Sequence, residues 1–162
     1  VLAMFGILYY IISNHLFEYK YAYNHSDRSL QMEYLLSCFW EGQEGSFMLW
    51  SFWHCVLGWV LIWRAKAWEA GVMTVMSFAQ FALATMLLGV YIFGVKIGSS
   101  PFVLLRNEFD WPILERPDYL SLIKDGTGLN TLLQNYWMVI HPPILFLGFA
   151  STIVPFAYAI AG

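Results

Sequence analysis

Two long apolar runs constrain the fold of this chain more than any other feature of its sequence. Residues 46–63 contain only His54 and Cys55 as ionisable groups, and residues 70–95 contain no charged residue. At about 1.5 Å per residue, a helix of either length can cross about 30 Å of hydrocarbon. Because a helix satisfies its own backbone hydrogen bonds in lipid, each run predicts a membrane-spanning helix.

The composition also indicates a membrane protein. Of the 162 residues, 59% are hydrophobic and 12% are charged, whereas about a quarter of the residues in soluble domains are charged. The net charge of -3 is small, and neither a nucleic-acid surface nor a polybasic membrane patch is predicted. Cys38 and Cys55 lack zinc or redox spacing and are interpreted as small apolar residues.

The ends of the chain are apolar as well, which completes the predicted architecture. Val1 lies inside an apolar run with no initiator methionine and no basic leader, so we expect the N-terminal fragment of one larger membrane domain. The prediction is an all-α polytopic transmembrane protein with about four spans, the first and last truncated, at residues 1–12, 46–63, 70–95 and 138–162.

Two long polar segments and one short link connect these spans. If the helices thread back and forth, residues 13–45 and 96–137 share one side of the membrane, and residues 64–69 lie on the other. The short link has two basic residues in six, which is typical of a cytoplasmic loop. The two long segments together contain six basic residues, which favours the opposite orientation; the higher density of basic residues in the link favours the long segments outside the cytoplasm.

Short interfacial helices are predicted within both outer segments. Apolar residues recur at three- and four-residue steps over Leu30–Phe39, and the aromatic end at Phe39 and Trp40 is expected at the level of the lipid headgroups. In the second segment, Asp118 is expected to start a short helix and Asn130 to cap the turn that follows it.

The stretch FWEGQEGSFMLW precedes the first complete span. Gly42 and Gly45 permit a tight turn, and Ser46 is expected to cap the helix. Glu41 and Glu44 complement the positive end of the helix dipole at about 0.3–1 kcal/mol each. A catalytic role for Glu44 is the alternative.

His54 is an ionisable residue deep inside a span, which makes it a candidate functional residue. The alternative is a neutral imidazole that donates a hydrogen bond to a neighbouring helix. The tryptophans in the same span are interpreted as residues of helix packing and of an interfacial aromatic belt: Trp50, Trp53, Trp59 and Trp63.

His141 precedes two prolines at the start of the last span. Prolines are favoured in a first helical turn, and Pro142 disfavours helical geometry at His141, so the ring is expected at the mouth of the span. That place suits an axial ligand of a haem on the outer face, with Trp137 and Tyr136 as aromatic walls. The alternative is an ordinary histidine bound to water or to lipid phosphate.

Three segments resemble the N-terminal part of the large subunit of the bacterial System I cytochrome c haem lyase, including its nitrite-reductase-associated relatives. They are WEGQEGSFMLW (Trp40–Trp50), SPF (Ser100–Phe102) and DGTGLNTLLQNYWMVIHPPILFLGFAS (Asp125–Ser151), and the resemblance covers nearly the whole chain. The positions that carry it are Trp40, Gly42, Glu44, Gly45, Ser46, Trp50, Asn130, Leu133, Gln134, Pro142 and Pro143.

The resemblance implies a role in cytochrome c maturation. Members bind haem b at the outer face and position it for thioether attachment to the Cys-x-x-Cys-His motif of apocytochrome c. His141 would then be a ligand of the haem iron, and no catalytic side chain is assigned. The implied partners are apocytochrome c, a haem-delivery chaperone, other maturation subunits and the lipid bilayer. The implied location is the bacterial inner membrane, with the active face outside the cytoplasm.

The chain departs from the family pattern at four positions, where Glu41 replaces a small residue, Gln43 a histidine, Ser100 an asparagine and Thr131 a proline. The tryptophan-rich haem-handling segment of the family is absent from this sequence. A different class of function is a transporter or quinone-linked cytochrome b subunit. The mid-span position of His54 and the surface position of His141 argue against one haem bound by both.

Overall fold

The computed structural model describes residues 1–162 and consists mainly of α-helices. The helices are α1 Leu2–Ser13, α2 Lys20–His25, α3 Met32–Glu41, α4 Gln43–Arg64, α5 Glu69–Leu88, α6 Tyr119–Leu122, α7 Tyr136–Ser151 and α8 Ile153–Ala161. An antiparallel hairpin joins β1 Val90–Ile92 to β2 Val95–Ile97. Single 3-10 turns lie at Lys66–Trp68, Leu105–Asn107, Pro112–Glu115 and Thr131–Leu133.

Three helical stretches are long and apolar enough to cross a membrane: Gln43–Arg64, Lys66–Leu88 and Tyr136–Ala161. The last of them is interrupted at Thr152, between α7 and α8. Pro155 cannot donate to the carbonyl of Ser151, which accounts for the interruption. The fourth apolar helix, α1, has only 12 residues. The structure thus contains three candidate spans and one shorter apolar helix, where about four spans were expected.

The prediction of a continuous span over residues 70–95 was wrong at its C-terminal end. Helix α5 ends at Leu88, because Gly89 adopts the left-handed conformation (φ 70°) that terminates a helix. Phe93 and Gly94 also have positive φ and form the turn of the hairpin. Apolarity alone did not distinguish the β-hairpin from the helix that precedes it.

The main hydrophobic core lies where α1 and α3 pack against α4 and the loop before α7. Its buried residues are Leu8, Ile12, Tyr21, Leu35, Cys38, Phe39, Trp40, Met48, Leu49, Leu87 and Leu129. Phe39 and Trp40 are 0% and 6% exposed, so both side chains belong to the protein core, and their level relative to the lipid headgroups stays a prediction. The apolar face of α3 is covered by other helices of the protein instead of lipid.

The two polar segments pack against each other and form one layer, here called the polar layer (residues 13–45 and 96–137). The backbone amide of Thr127 donates to the carbonyl of Tyr23 at 2.8 Å, and that of Lys20 donates to Val103 at 2.9 Å. Glu108 forms ion pairs with Lys20 and with Lys96 of the hairpin. Its hydrogen bond with Lys96 lowers the pKa of Glu108 below the ordinary range.

Short helical turns in the second segment begin where the sequence predicted them. Asp118 is the N-cap residue of α6, which ends at Leu122. The Asn130 side chain accepts a hydrogen bond of 3.0 Å from the backbone amide of Leu132, and so caps the 3-10 turn Thr131–Leu133. Both turns belong to the polar layer, which leads the chain into α7.

Candidate functional site

Helix α7 begins earlier than the prolines suggested. The Asn135 side chain accepts a hydrogen bond of 3.1 Å from the amide of Met138, and the first helical residue is Tyr136. His141, Pro142 and Pro143 therefore lie inside the helix. The prediction that the prolines occupy the first turn, with His141 outside helical geometry, was wrong because Asn135, six residues before His141, caps the helix.

A loop that satisfies its own polar groups leads into this helix. The Gln134 side-chain amide donates to the carbonyl of Leu129 at 3.0 Å, and the Asn135 amide donates to that of Leu132 at the same distance. Leu133 packs against the main core. These bonds fix the entry of the chain into α7, which gives Leu133 and Gln134 a structural role.

Prolines inside a helix leave backbone carbonyls without their usual donors. Pro142 has no N–H group and cannot bond the carbonyl of Met138, four residues before it. The indole N–H of Trp40 donates to that carbonyl at 2.8 Å. A second indole, that of Trp53 in α4, donates to the carbonyl of Pro143 at 3.0 Å. His141 thus lies between two carbonyls that are held by tryptophans from other helices.

Trp40 is itself fixed by the turn between α3 and α4. Its carbonyl accepts a hydrogen bond of 2.8 Å from the Ser46 hydroxyl. The expectation that Ser46 caps α4 was wrong, because Gly42 is the N-cap residue and no side chain caps the helix. The Tyr21 hydroxyl donates to the carbonyl of Phe39 at 2.8 Å and accepts from the amide of Gly42 at 3.1 Å.

Tyr21 connects the polar layer to this turn, and no sequence motif predicted this role. Burial raises the pKa of the Tyr21 phenol well above its ordinary value, so it remains a neutral donor. Gly42 and Gly45 let the turn approach it closely. A β-carbon at Gly45 would overlap both the Phe39 carbonyl and the Tyr21 hydroxyl. The glycines of this motif are therefore explained by close packing.

The acidic residues of the same motif lie beside Tyr21. Glu41 approaches the His25 ring, with 3.0 Å between the Glu41 carboxylate and His25 Nδ1. Glu44 lies in the first turn of α4 and makes no hydrogen bond or ion pair with another side chain. The structure gives Glu41, which departs from the family pattern, a partner in the polar layer.

His141 faces an open groove at the polar end of α7. The groove is lined by Leu133, Asn135, Trp137, Met138, His141 and Pro142. The His141 side chain is exposed and has no hydrogen-bond partner in the protein. Trp137 lies in this groove as expected, whereas Tyr136 contacts the edge of Trp137 at a centroid distance of 5.8 Å. The arrangement offers a free imidazole beside an apolar and aromatic surface.

His54 lies in a different cavity, between α4 and α5. It is 6% exposed, and Gln80 and Ser77 of α5 line the same space. His54 Nδ1 and both polar atoms of the Gln80 side chain have no hydrogen-bond partner. Trp50 contacts the imidazole edge at a centroid distance of 6.2 Å. The two histidines that the sequence singled out are thus in separate places.

Known cytochrome c biogenesis proteins are similar in sequence to this chain. Residues 40–162 match the family described as Cytochrome C assembly protein. The chain is 29% identical over 164 residues to cytochrome c-type biogenesis protein CcmF of Haemophilus influenzae, and 30% identical over 162 residues to that of Pseudomonas fluorescens. It is 28% identical to the probable cytochrome c-type biogenesis protein NrfE of Escherichia coli.

These relatives match 97%, 99% and 99% of this chain, which spans 22%, 22% and 26% of their own lengths. No solved structure matches the chain. The family match includes the turn between α3 and α4, the three candidate spans that follow it and the His141 groove. This chain, a membrane protein, therefore belongs to the cytochrome c assembly protein family.

Proposed function

We propose that this chain acts in cytochrome c maturation by holding haem b at the membrane surface through His141. The haem would be held there while it is joined to the Cys-x-x-Cys-His motif of apocytochrome c. The observation that carries the proposal is the exposed, unpartnered imidazole in an apolar groove of a cytochrome c assembly protein. His141 lies in the half of α7 nearer the polar layer, which would give a large planar substrate access from outside the hydrocarbon.

The residues around His141 fit a haem for two reasons. A neutral imidazole nitrogen is a common axial ligand of haem iron. Trp137, Met138 and Pro142 surround it with apolar surface, against which a porphyrin can pack without leaving a charged side chain unpaired. The iron ligand would be fixed to a rigid helix, and this limits the positions that the porphyrin can adopt.

The chemistry itself would belong to the haem and the peptide. Each cysteine thiol adds across one vinyl group, so that sulfur bonds one carbon and the thiol hydrogen is transferred to the other. The addition leaves no by-product and requires no net oxidant or reductant. The contribution of this chain would be to bind and orient the substrate, which lowers the entropic part of the barrier. His141 accordingly has a binding role, and no side chain is assigned as a general acid.

The affinity of the purified protein for haem tests the proposal. The complete protein should be isolated from membranes with and without the substitution His141→Ala and titrated with haem, and the Soret absorbance measured. We expect the variant to bind haem at least about tenfold more weakly, because an axial ligand is lost. Equal affinities would remove His141 from the proposed function.

A substitution at His54, inside a candidate span, can be compared with the substitution at His141. We expect His54→Gln to retain most cytochrome c maturation, because His54 Nδ1 has no hydrogen-bond partner to lose and an amide can itself make an interhelical hydrogen bond, worth about 0.6–2 kcal/mol. The measurement is covalent haem on a reporter cytochrome, normalised to the amount of inserted protein. Complete loss at normal protein levels would show that the cavity shared with Gln80 has a functional role.

The proposed location is the bacterial inner membrane, with the polar layer outside the cytoplasm. On that side the polar layer can meet apocytochrome c, a haem-delivery chaperone and other maturation subunits. Several aromatic and apolar side chains of α7 are exposed, including Trp137 at 71%. They form a surface that such subunits or lipid can contact. The link Lys66–Trp68 would face the cytoplasm.

Single cysteines test this orientation. Ser29, Ala67 and Lys124 are exposed and can each be replaced by cysteine in a Cys55→Ala background. Cys38 can remain, since burial raises its pKa to about 12 and keeps the thiol unreactive. We expect an impermeant thiol reagent to label positions 29 and 124 in whole cells. Labelling at position 67 alone would invert the orientation.

A further inference from the structure

We propose that Trp40 is a positioning residue for His141, and that it acts through the backbone carbonyl of Met138. This inference rests on the proposed function, because it assigns a role relative to haem bound at His141. Trp40 does not line the His141 groove. Its indole instead donates to the carbonyl that Pro142 leaves without a helical donor.

The geometry explains why this contact matters for His141 in particular. The carbonyl of Met138 lies one turn before Pro142, on the peptide segment that leads directly into His141. Without a donor, this carbonyl would turn toward water or toward another donor, and the helix would bend at the proline. A bend of that kind changes the direction of the imidazole. The indole therefore holds the orientation of the ligand without contacting it.

A second indole donates to the same segment of α7. Trp53 donates to the carbonyl of Pro143 from α4, and Trp40 reaches Met138 from the end of α3. Since α3 and α4 are joined through the turn at Gly42, the two donors are held at a fixed separation. His141 is located between the two bonded carbonyls.

Trp50, which lies in α4 with Trp53, provides a control tryptophan. Its ring lies 6.2 Å from that of Phe146 and 5.8 Å from that of Phe149, so it packs against α7 as Trp53 does. Its indole N–H has no hydrogen-bond partner. Trp50→Phe thus removes a tryptophan from the same interface without removing a bond to α7.

The first measurement does not involve haem. Hydrogen exchange of the backbone amides in residues 139–145 should be compared between Trp40→Phe, Trp50→Phe and the unsubstituted protein. We expect about threefold to tenfold faster exchange in Trp40→Phe, the range that corresponds to one hydrogen bond. Trp50→Phe should leave the exchange unchanged. Equal exchange in the two variants would overturn the proposal.

Pro142→Ala supplies a rescue. An alanine at this position has an N–H group that can bond the carbonyl of Met138, so the indole becomes redundant. In the Pro142→Ala background, Trp40→Phe should therefore change the exchange of residues 139–145 by less than about twofold. An undiminished effect would mean that Trp40 stabilises the helix by packing alone.

The haem affinity then separates positioning from general stability. Trp40→Phe should weaken haem binding by about threefold to tenfold, whereas the same substitution in a His141→Ala protein should cause no further loss. If His141→Ala leaves the haem affinity unchanged, the proposed function fails. If His141→Ala lowers the haem affinity, but Trp40→Phe lowers it no more than Trp50→Phe does, only the positioning role of Trp40 fails. Should Trp40→Phe not insert, the same substitution in the Pro142→Ala background should insert, because an alanine at that position can donate to the carbonyl of Met138; failure to insert there as well would overturn the positioning role.

Discussion

Replacing His141 by alanine should reduce covalent haem on a reporter cytochrome by at least about tenfold in cells that depend on this protein. The substitution removes the one free imidazole of the groove. It removes no side chain of the main core, and the hydrogen bonds to the carbonyls of Met138 and Pro143 do not involve it. The protein should therefore insert normally, and the loss should be one of haem handling.

The amount of membrane-inserted protein must be measured in the same cells, because a fall in abundance would also lower the yield. His25→Ala is a suitable control, since His25 is a half-buried histidine of the polar layer that contacts Glu41 and lies outside the groove. We expect this control to retain most of the yield. An undiminished yield from His141→Ala at equal abundance would make His141 an ordinary surface histidine.

The second large effect is expected at Gly45, and it concerns folding. A methyl group at this position would overlap the carbonyl of Phe39 and the hydroxyl of Tyr21. Because a backbone carbonyl cannot rotate away as a flexible side chain can, the turn between α3 and α4 must open. We expect Gly45→Ala to destabilise the protein by at least about 3 kcal/mol, at the upper end of the range for overpacked positions.

Gly148 provides the control for this substitution. It also lies within a helix, and a β-carbon there would have no atom within 4 Å. Gly148→Ala should be neutral or should stabilise α7 by up to about 1 kcal/mol. The measurement is the melting temperature of each variant in detergent, together with its level in the membrane. Equal behaviour of the two variants would contradict the close packing seen at Gly45.

The membrane helices were predictable because their signal is local. Apolar runs located α4, α5 and the last span to within a few residues at most ends, since length and hydropathy suffice for a helix in lipid. The end of α5 was not predicted because the uncharged run continues past Gly89, although a glycine followed by Val90, Tyr91 and Ile92 also suits a helix end and a strand. The family resemblance was confirmed by the match of residues 40–162.

The environment of His141 could not be predicted, because it depends on contacts distant in sequence. Trp40 and Met138 are 98 residues apart, and Trp53 and Pro143 are 90 apart. Local rules place prolines in a first helical turn, because an interior proline leaves a carbonyl without a donor. Here an indole from another helix supplies the donor. The same limitation hid Tyr21, whose partners Phe39 and Gly42 belong to the far end of α3.

The absorption spectrum of haem bound to a His141→Cys variant tests the central claim most directly. Thiolate and imidazole ligands give haem iron distinct spectra, so the residue at position 141 would report its own contact with the metal. If His141 binds the haem iron, the spectrum should change from that of imidazole ligation to that of thiolate ligation, while Cys38 and Cys55 remain as they are. A spectrum identical to that of the unsubstituted protein would contradict the account.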